Sequence, residues 1–187
     1  MRIIAGYLRG RKLKSPKGDD VRPTTDKVKE AIFDILYQYT DKDFIAFDVF
    51  AGSGNMGIEA ISRGASKVFF SDNSRESLKL VKENLDICGA GDKAVLLSGE
   101  YQRNIARVKD KVNVFFLDPP YANGYILPSL KAIDETDNIS EDGIVVCEHN
   151  FRDMMPDKIY GFTKVKSRKY GSIAVTFYQR GEREVGQ

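Results

Sequence analysis

The sequence predicts an α/β fold, a mostly parallel twisted sheet with helices on both faces and an antiparallel hairpin at its C-terminal end. Three observations carry this expectation. From residue 26 onward, short apolar strand-like runs alternate with amphipathic helical stretches, the rhythm of βαβ units with right-handed crossovers. Gly52-Ser53-Gly54-Asn55-Met56-Gly57 separates one such strand from the next helix, where folds of this class let backbone approach a ligand. Near the end the rhythm changes, and residues 162–168 and 172–179 read as two strands joined by Lys169-Tyr170-Gly171.

Taken in order, Pro23, Thr24 and Thr25 offer a helix start, and Val28, Ala31, Ile32, Ile35, Leu36 and Tyr39 then recur at helical spacing, which predicts a helix over 26–39. A buried strand follows at 44–50, then the glycine turn, a helix to about Arg63 and a strand at 67–71. Leu78, Val81, Leu85 and Cys88 share one face of a helix that begins at Ser74. Strands at 94–98, 113–117 and 143–148 alternate with helices near Asn104 and Leu130.

The 187 residues, 42% hydrophobic and 30% charged, suffice for one domain with its own core and exclude a disordered chain. Apolar runs stay short of a membrane span, and the start turns basic before a signal-like stretch develops, so a soluble, cytoplasmic protein is expected, with a monomer favoured. Two distant cysteines, Cys88 and Cys147, and a single histidine, His149, speak against a disulfide framework and a zinc site. Reduced, buried thiols and no metal are expected.

Net charge is +2, but it is unevenly spread: residues 1–30 and 158–187 each carry +5 and the middle carries −8. Arg9, Arg11, Lys12, Lys14 and Lys17 precede any acid, and Gly6, Gly10, Pro16 and Gly18 interrupt regular structure. The expectation is a flexible basic arm over 1–25 ahead of a domain over 26–187. Such an arm is either a solvated tail or a contact for a polyanion, whose phosphates release counterions on binding.

The glycine turn gains weight from its surroundings. Asp72 ends the next strand 20 residues after Gly52, where a carboxylate can accept hydrogen bonds from two ribose hydroxyls. Asp48, at the end of the preceding strand, would repel a pyrophosphate but favour the sulfonium and amino group of S-adenosylmethionine. That favours S-adenosylmethionine over a dinucleotide. Asp118-Pro119-Pro120-Tyr121 follows the fourth strand at the same sheet edge. Two prolines stiffen this loop and leave carbonyls free. A carboxylate and a carbonyl could accept both N–H groups of an exocyclic amine, and Tyr121 could stack on its base. A plain turn with a core tyrosine is the bland alternative.

With these motifs in place, the sequence resembles the bacterial small-subunit ribosomal RNA guanine-N2 methyltransferases, the RsmD-type family, over nearly its whole length. The resemblance rests on Arg2-Ile3-Ile4-Ala5-Gly6, Arg9-Gly10-Arg11-Lys12-Leu13, residues 22–30 from Arg22-Pro23-Thr24-Thr25 onward, Phe50-Ala51-Gly52-Ser53-Gly54 and Asp118-Pro119-Pro120-Tyr121. It implies a Rossmann-like class I fold. The implied cofactor is S-adenosylmethionine, held by Asp48, Phe50, Ala51, Gly52, Ser53, Gly54, Asp72, Asn73 and, ranked below these, Glu100. It also implies Asp118, Pro119, Pro120 and Tyr121 as the catalytic tetrad, and RNA contact through Arg9, Arg11, Lys12, Arg22, Thr24 and Thr25. Ribosomal RNA, free or in an assembling small-subunit particle, is the implied substrate. The tetrad is shared with adenine-N6 methyltransferases, so guanine follows only from the fuller match. Rival readings are an adenine-N6 methyltransferase, a dinucleotide-dependent oxidoreductase, which Asp48 and the tetrad disfavour, and an RNA-binding module that has lost catalysis.

Overall fold

The computed structural model describes residues 1–16, 25–120 and 124–181. Helix α1 (Asp26–Leu36) begins at Thr25, whose hydroxyl accepts the Val28 N–H at 3.3 Å. It ends before the expected Tyr39, because Gln38 and Tyr39 donate to the carbonyls three residues back rather than four. Strand β1 (Ile45–Asp48), helix α2 (Asn55–Ser62) and strand β2 (Lys67–Asp72) form the first βαβ unit. Helix α3 (Arg75–Cys88), capped by Ser74, leads to β3 (Ala94–Ser98) through a short 3-10 turn that sequence patterning did not reveal. Helix α4 (Tyr101–Arg107), β4 (Val112–Leu117), α5 (Ile126–Thr136) and β5 (Ile139–Asn150) complete the alternation. Three further strands follow, β6 (Lys158–Ile159), β7 (Phe162–Tyr170) and β8 (Ile173–Arg180).

The eight strands form one sheet in the order β3-β2-β1-β4-β5-β8-β7-β6. The first five run parallel, and β8, β7 and β6 add antiparallel pairings. Strand order reverses between β1 and β4, so the loops leaving these two strands part and open a crevice at their carboxyl ends. Alternation along the strands divides the core. Ala46, Val68, Phe70, Val114, Phe116, Ile144 and Val146 pack beneath α1, α2 and α3. Phe47, Phe69, Phe115, Val145 and Cys147 pack on the other face against residues of α4 and α5. Both cysteines are free and buried.

The C-terminal turn lies two residues later than expected. Tyr170 still pairs with Ile173, leaving Gly171-Ser172 as a two-residue loop with Gly171 at φ +64°. Strand β6 was not foreseen, and β5 begins earlier than expected, beside an irregularity in its pairing with β4.

The larger correction concerns the basic arm. Its described part is not flexible but folds back on itself. Ile3 donates to the Arg11 carbonyl, Gly10 to the Ile3 carbonyl and Leu13 to the Met1 carbonyl, while Ile3, Leu8 and Leu13 enter the same core as α1 to α3. A buried carboxylate fixes the fold-back: Glu59 of α2 accepts the N–H groups of Ile4 at 2.9 Å and Ala5 at 3.0 Å, pairs with Lys29 at 3.1 Å and accepts from Arg63 Nε at 2.8 Å. Burial lowers the Lys29 pKa, and Glu59 opposes this only in part. Gly6, at φ +82°, lies so close to α2 that a Cβ there would sit 1.8 Å from the Ser62 carbonyl oxygen. Apolar residues spaced among the basic ones, together with an acceptor 55 residues away, explain why local composition misled.

Candidate functional site

At the carboxyl ends of β1 to β4 the sheet opens into a cleft of about 510 Å³. Of the residues expected from sequence, Asp48, Phe50, Ala51, Gly52, Ser53, Asp72, Asn73, Glu100, Asp118, Pro119 and Pro120 all line it.

The glycine turn connects β1 to α2. Gly52 at φ +54° and Gly54 at φ +79° adopt conformations that favour glycine. A Cβ on Gly52 would meet nothing, so its open side faces available space. Gly54 is a different case from the expectation. It does not line the cleft, and a Cβ there would press on Ile58 and Val81, so it turns the chain and packs α2 against α3. Gly57 is closer still, because a Cβ would lie 2.2 Å from the Phe70 ring.

Two carboxylates flank the turn and are held differently. Asp72 accepts the Gly52 N–H on Oδ2 at 2.9 Å and the Ser74 N–H on Oδ1 at 2.8 Å. These bonds fix its plane while each oxygen retains a lone pair for a ligand. Asp48 is buried and accepts the Gly57 N–H at 3.1 Å. Burial pushes its pKa up to about 7, the Asp72 charge adds to the rise, and the Gly57 bond only partly opposes it. A cationic ligand beside Asp48 would restore the charged form. This set of acceptors therefore suits a molecule with adjacent hydroxyls at one end and positive charge at the other.

The far wall is aromatic. Phe50 lies 5.2 Å from Tyr101 and 5.7 Å from Tyr125, centroid to centroid, and the two tyrosine rings meet edge to face. Neither tyrosine was singled out from sequence, although Tyr101 directly follows Glu100 and Tyr125 lies four residues after the tetrad. Glu100 lines the cleft at the start of α4 without capping it through its side chain. Met1 and Pro16 also reach the cleft from the folded N-terminal segment, which no local motif announced.

Asp118 follows β4 directly, one strand away from Asp48, and Pro119 and Pro120 carry the chain along the rim. Tyr121, Arg22 and Thr24 lie outside the described residues. Arg9, Arg11 and Lys12 are exposed on the N-terminal fold-back, away from the cleft lining. Arg11 uses one guanidinium N–H on the Ile87 carbonyl at 2.9 Å. Thr25, expected to touch RNA, has its hydroxyl engaged in capping α1. Among the described residues no cluster of His, Cys, Asp and Glu could hold a metal ion, and no helix is long and apolar enough to cross a membrane.

Comparison with known proteins agrees with this geometry. The model of the family described as conserved hypothetical protein 95 matches residues 1–179. The chain is 36% identical over 183 residues to a Bacillus subtilis (strain 168) protein with the provisional name rRNA methyltransferase YlbH, covering 96% of this chain and 99% of that one. It is 29% identical over 180 residues to ribosomal RNA small subunit methyltransferase D of Escherichia coli (strain K12), covering 96% and 90%. A solved structure, provisionally described as methyltransferase yhhF from Escherichia coli, superposes with a TM-score of 0.86 at 28% identity, covering 97% of this chain and 98% of that one.

Proposed function

The chain belongs to the conserved hypothetical protein 95 family, and on that premise we propose that it is an S-adenosylmethionine-dependent methyltransferase that modifies the exocyclic N2 amine of a guanine in small-subunit ribosomal RNA. One observation carries this reading: Asp48, Asp72 and Asp118, at the carboxyl ends of three separate strands, converge on a single cleft. The small-subunit substrate is supported by the name of the Escherichia coli relative, and it implies work in the cytoplasm.

Within the cleft, Asp72 would accept the ribose hydroxyls and Asp48 would face the positive charge, with the turn at Ala51 to Ser53 lying along the backbone of the cofactor. Phe50 and Tyr101 supply apolar surface for a flat ring. When bound, S-adenosylmethionine supplies an electrophilic methyl group on a sulfonium. Asp118 and the Pro119 carbonyl would accept the two N–H groups of the amine, turning its lone pair toward the cleft, and Tyr121 would stack on the base. As the nitrogen gains positive charge, Asp118 stabilises it. Its proton leaves to Asp118 or to water.

The test is incubation of the protein with tritiated S-adenosylmethionine and, in separate reactions, free small-subunit RNA, small-subunit particles and DNA, followed by nucleoside analysis. Label in N2-methylguanosine supports the reading. Label in N6-methyladenosine, or in DNA, overturns it.

A further inference from the structure

Beside the cleft, across Pro119, Pro120 and Tyr125, lies a second cavity of about 210 Å³. Its walls are apolar at Ile126, Leu127, Met154 and Met155, and among the polar residues Glu148, itself 5% exposed, His149 and the exposed Asp153 also line it. Glu148 stands near the end of β5, directly after Cys147, which pairs with Leu117 of β4. Continuing that register by one residue sets Glu148 level with Asp118 on the adjacent parallel strand, roughly 5 Å away in backbone spacing. Side-chain alternation also puts both on the face of Phe116 and Val146. Asp118 lines the cofactor cleft and Glu148 the second cavity, and Pro119 and Pro120 line both.

We propose that this cavity receives the target guanine and that Glu148 determines base specificity by accepting the guanine N1–H. The proposal rests on the guanine-N2 reading above. In guanine, N1–H and the N2 amine are adjacent donors on one edge. A pair of neighbouring acceptors, Asp118 for the amine and Glu148 for N1–H, matches that edge. Adenine, turned to present its N6 amine to Asp118, would set its N1 lone pair against Glu148, and two acceptors facing one another repel. The tetrad accepts either amine, so discrimination must come from the neighbouring position, which Glu148 occupies. The apolar walls suit the faces of the base. His149, the next residue, is held by the Asn150 carbonyl on Nδ1 and the Thr176 hydroxyl on Nε2, both at 2.8 Å, which fixes the end of β5 from which Glu148 projects.

The probe is 2-aminopurine, which keeps the methyl-accepting amine but replaces N1–H with a lone pair. The methylated position is first mapped with unmodified RNA, and small-subunit particles are then reconstituted with guanine or 2-aminopurine there. The unaltered protein should methylate guanine about ten- to a hundredfold faster, as loss of a hydrogen bond to a charged group predicts. Glu148→Gln, whose amide can donate to the 2-aminopurine lone pair, should slow reaction with guanine and narrow that preference to within a few fold, with cofactor affinity unchanged. If this variant loses cofactor binding through misfolding, Glu148→Asp, which shortens the reach, should narrow the same preference. Equal rates on both bases with the unaltered protein, or an unchanged preference in a folded variant, would overturn the role of Glu148 while leaving guanine-N2 methylation standing. Absence of N2 methylation on unmodified RNA would remove the guanine reading itself, and this proposal with it.

Discussion

Asn84 grips the peptide of Lys14 from both sides, across 70 residues of chain: its Oδ1 accepts the Lys14 N–H at 2.8 Å, and its Nδ2 donates to the Lys14 carbonyl at 3.1 Å. The same Nδ2 donates to the Ser53 carbonyl at 2.9 Å. One fully buried side chain therefore joins the basic N-terminal segment to the glycine turn. Asn84→Ala strips partners from several backbone groups at once and should lower the unfolding free energy by about 2 to 4 kcal/mol. Urea denaturation at 25 °C gives the value, and a loss below about 0.5 kcal/mol would show the link to be dispensable.

Asp48 carries a pH dependence with a definite sign. Its folded-state pKa of about 7 lies above the ordinary 3.8, so its contribution to stability is full at pH below about 4 and is lost as pH rises through 7. Asp48→Asn should therefore stabilise the cofactor-free protein at pH 8, by up to about 4 kcal/mol, with little gain at pH 4. Cofactor affinity should move the other way. It should fall as pH drops from 7.5 to 5.5 in the unaltered protein, and the variant should bind weakly at every pH. Calorimetric titrations and melting curves across that range check both halves.

Asp72→Ala should raise the dissociation constant for S-adenosylmethionine about ten- to a hundredfold, through loss of charge-assisted hydrogen bonds. Melting temperature should fall only modestly, since the Gly52 and Ser74 N–H groups can turn to water. Unchanged affinity in a folded variant would take Asp72 out of the site.

Asp118→Ala should bind cofactor normally and lose about a hundred- to thousandfold in single-turnover methyl transfer, because the acceptor acts chiefly in the transition state. Tyr121→Phe should be mild and Tyr121→Ala damaging if the ring stacks on the base. A Phe variant as slow as the Ala variant would assign the function to the hydroxyl.

Replacing Arg9, Arg11 and Lys12 together with Ala should weaken RNA binding and flatten its salt dependence, while cofactor affinity stays constant. These side chains are exposed, and the structural cost is confined to the Arg11 bond with the Ile87 carbonyl. Affinity measured at several salt concentrations decides whether this surface holds phosphate.

Much of this architecture was legible because its signals are local. The parallel strands are short apolar runs, the β1 and β2 carboxylates mark strand ends, and the glycine turn and tetrad are contiguous motifs whose conformations are forced by Gly and Pro. What escaped was set by distant partners. The order in residues 1–16 depends on Glu59, Ser62 and Asn84, which no window around the arm contains. Gly54 looked like a ligand residue by its spacing, yet its neighbours Ile58 and Val81 make it a packing position. Tyr101, at the start of α4, and Tyr125, just before α5, join Phe50 only in the folded chain, and Glu148 comes level with Asp118 only through sheet register.

The Glu59 network also sets a timetable. Ile4 and Ala5 are synthesised more than fifty residues before the carboxylate that accepts their N–H groups, so the N-terminal segment must wait, unpaired, until α2 has emerged and docked. Contacts of such sequence separation must offset a large loop-closure entropy before they stabilise the chain, which favours their forming after the rate-limiting step. Their loss should therefore accelerate unfolding far more than it slows folding, making this segment a latch that governs how long the assembled cleft persists.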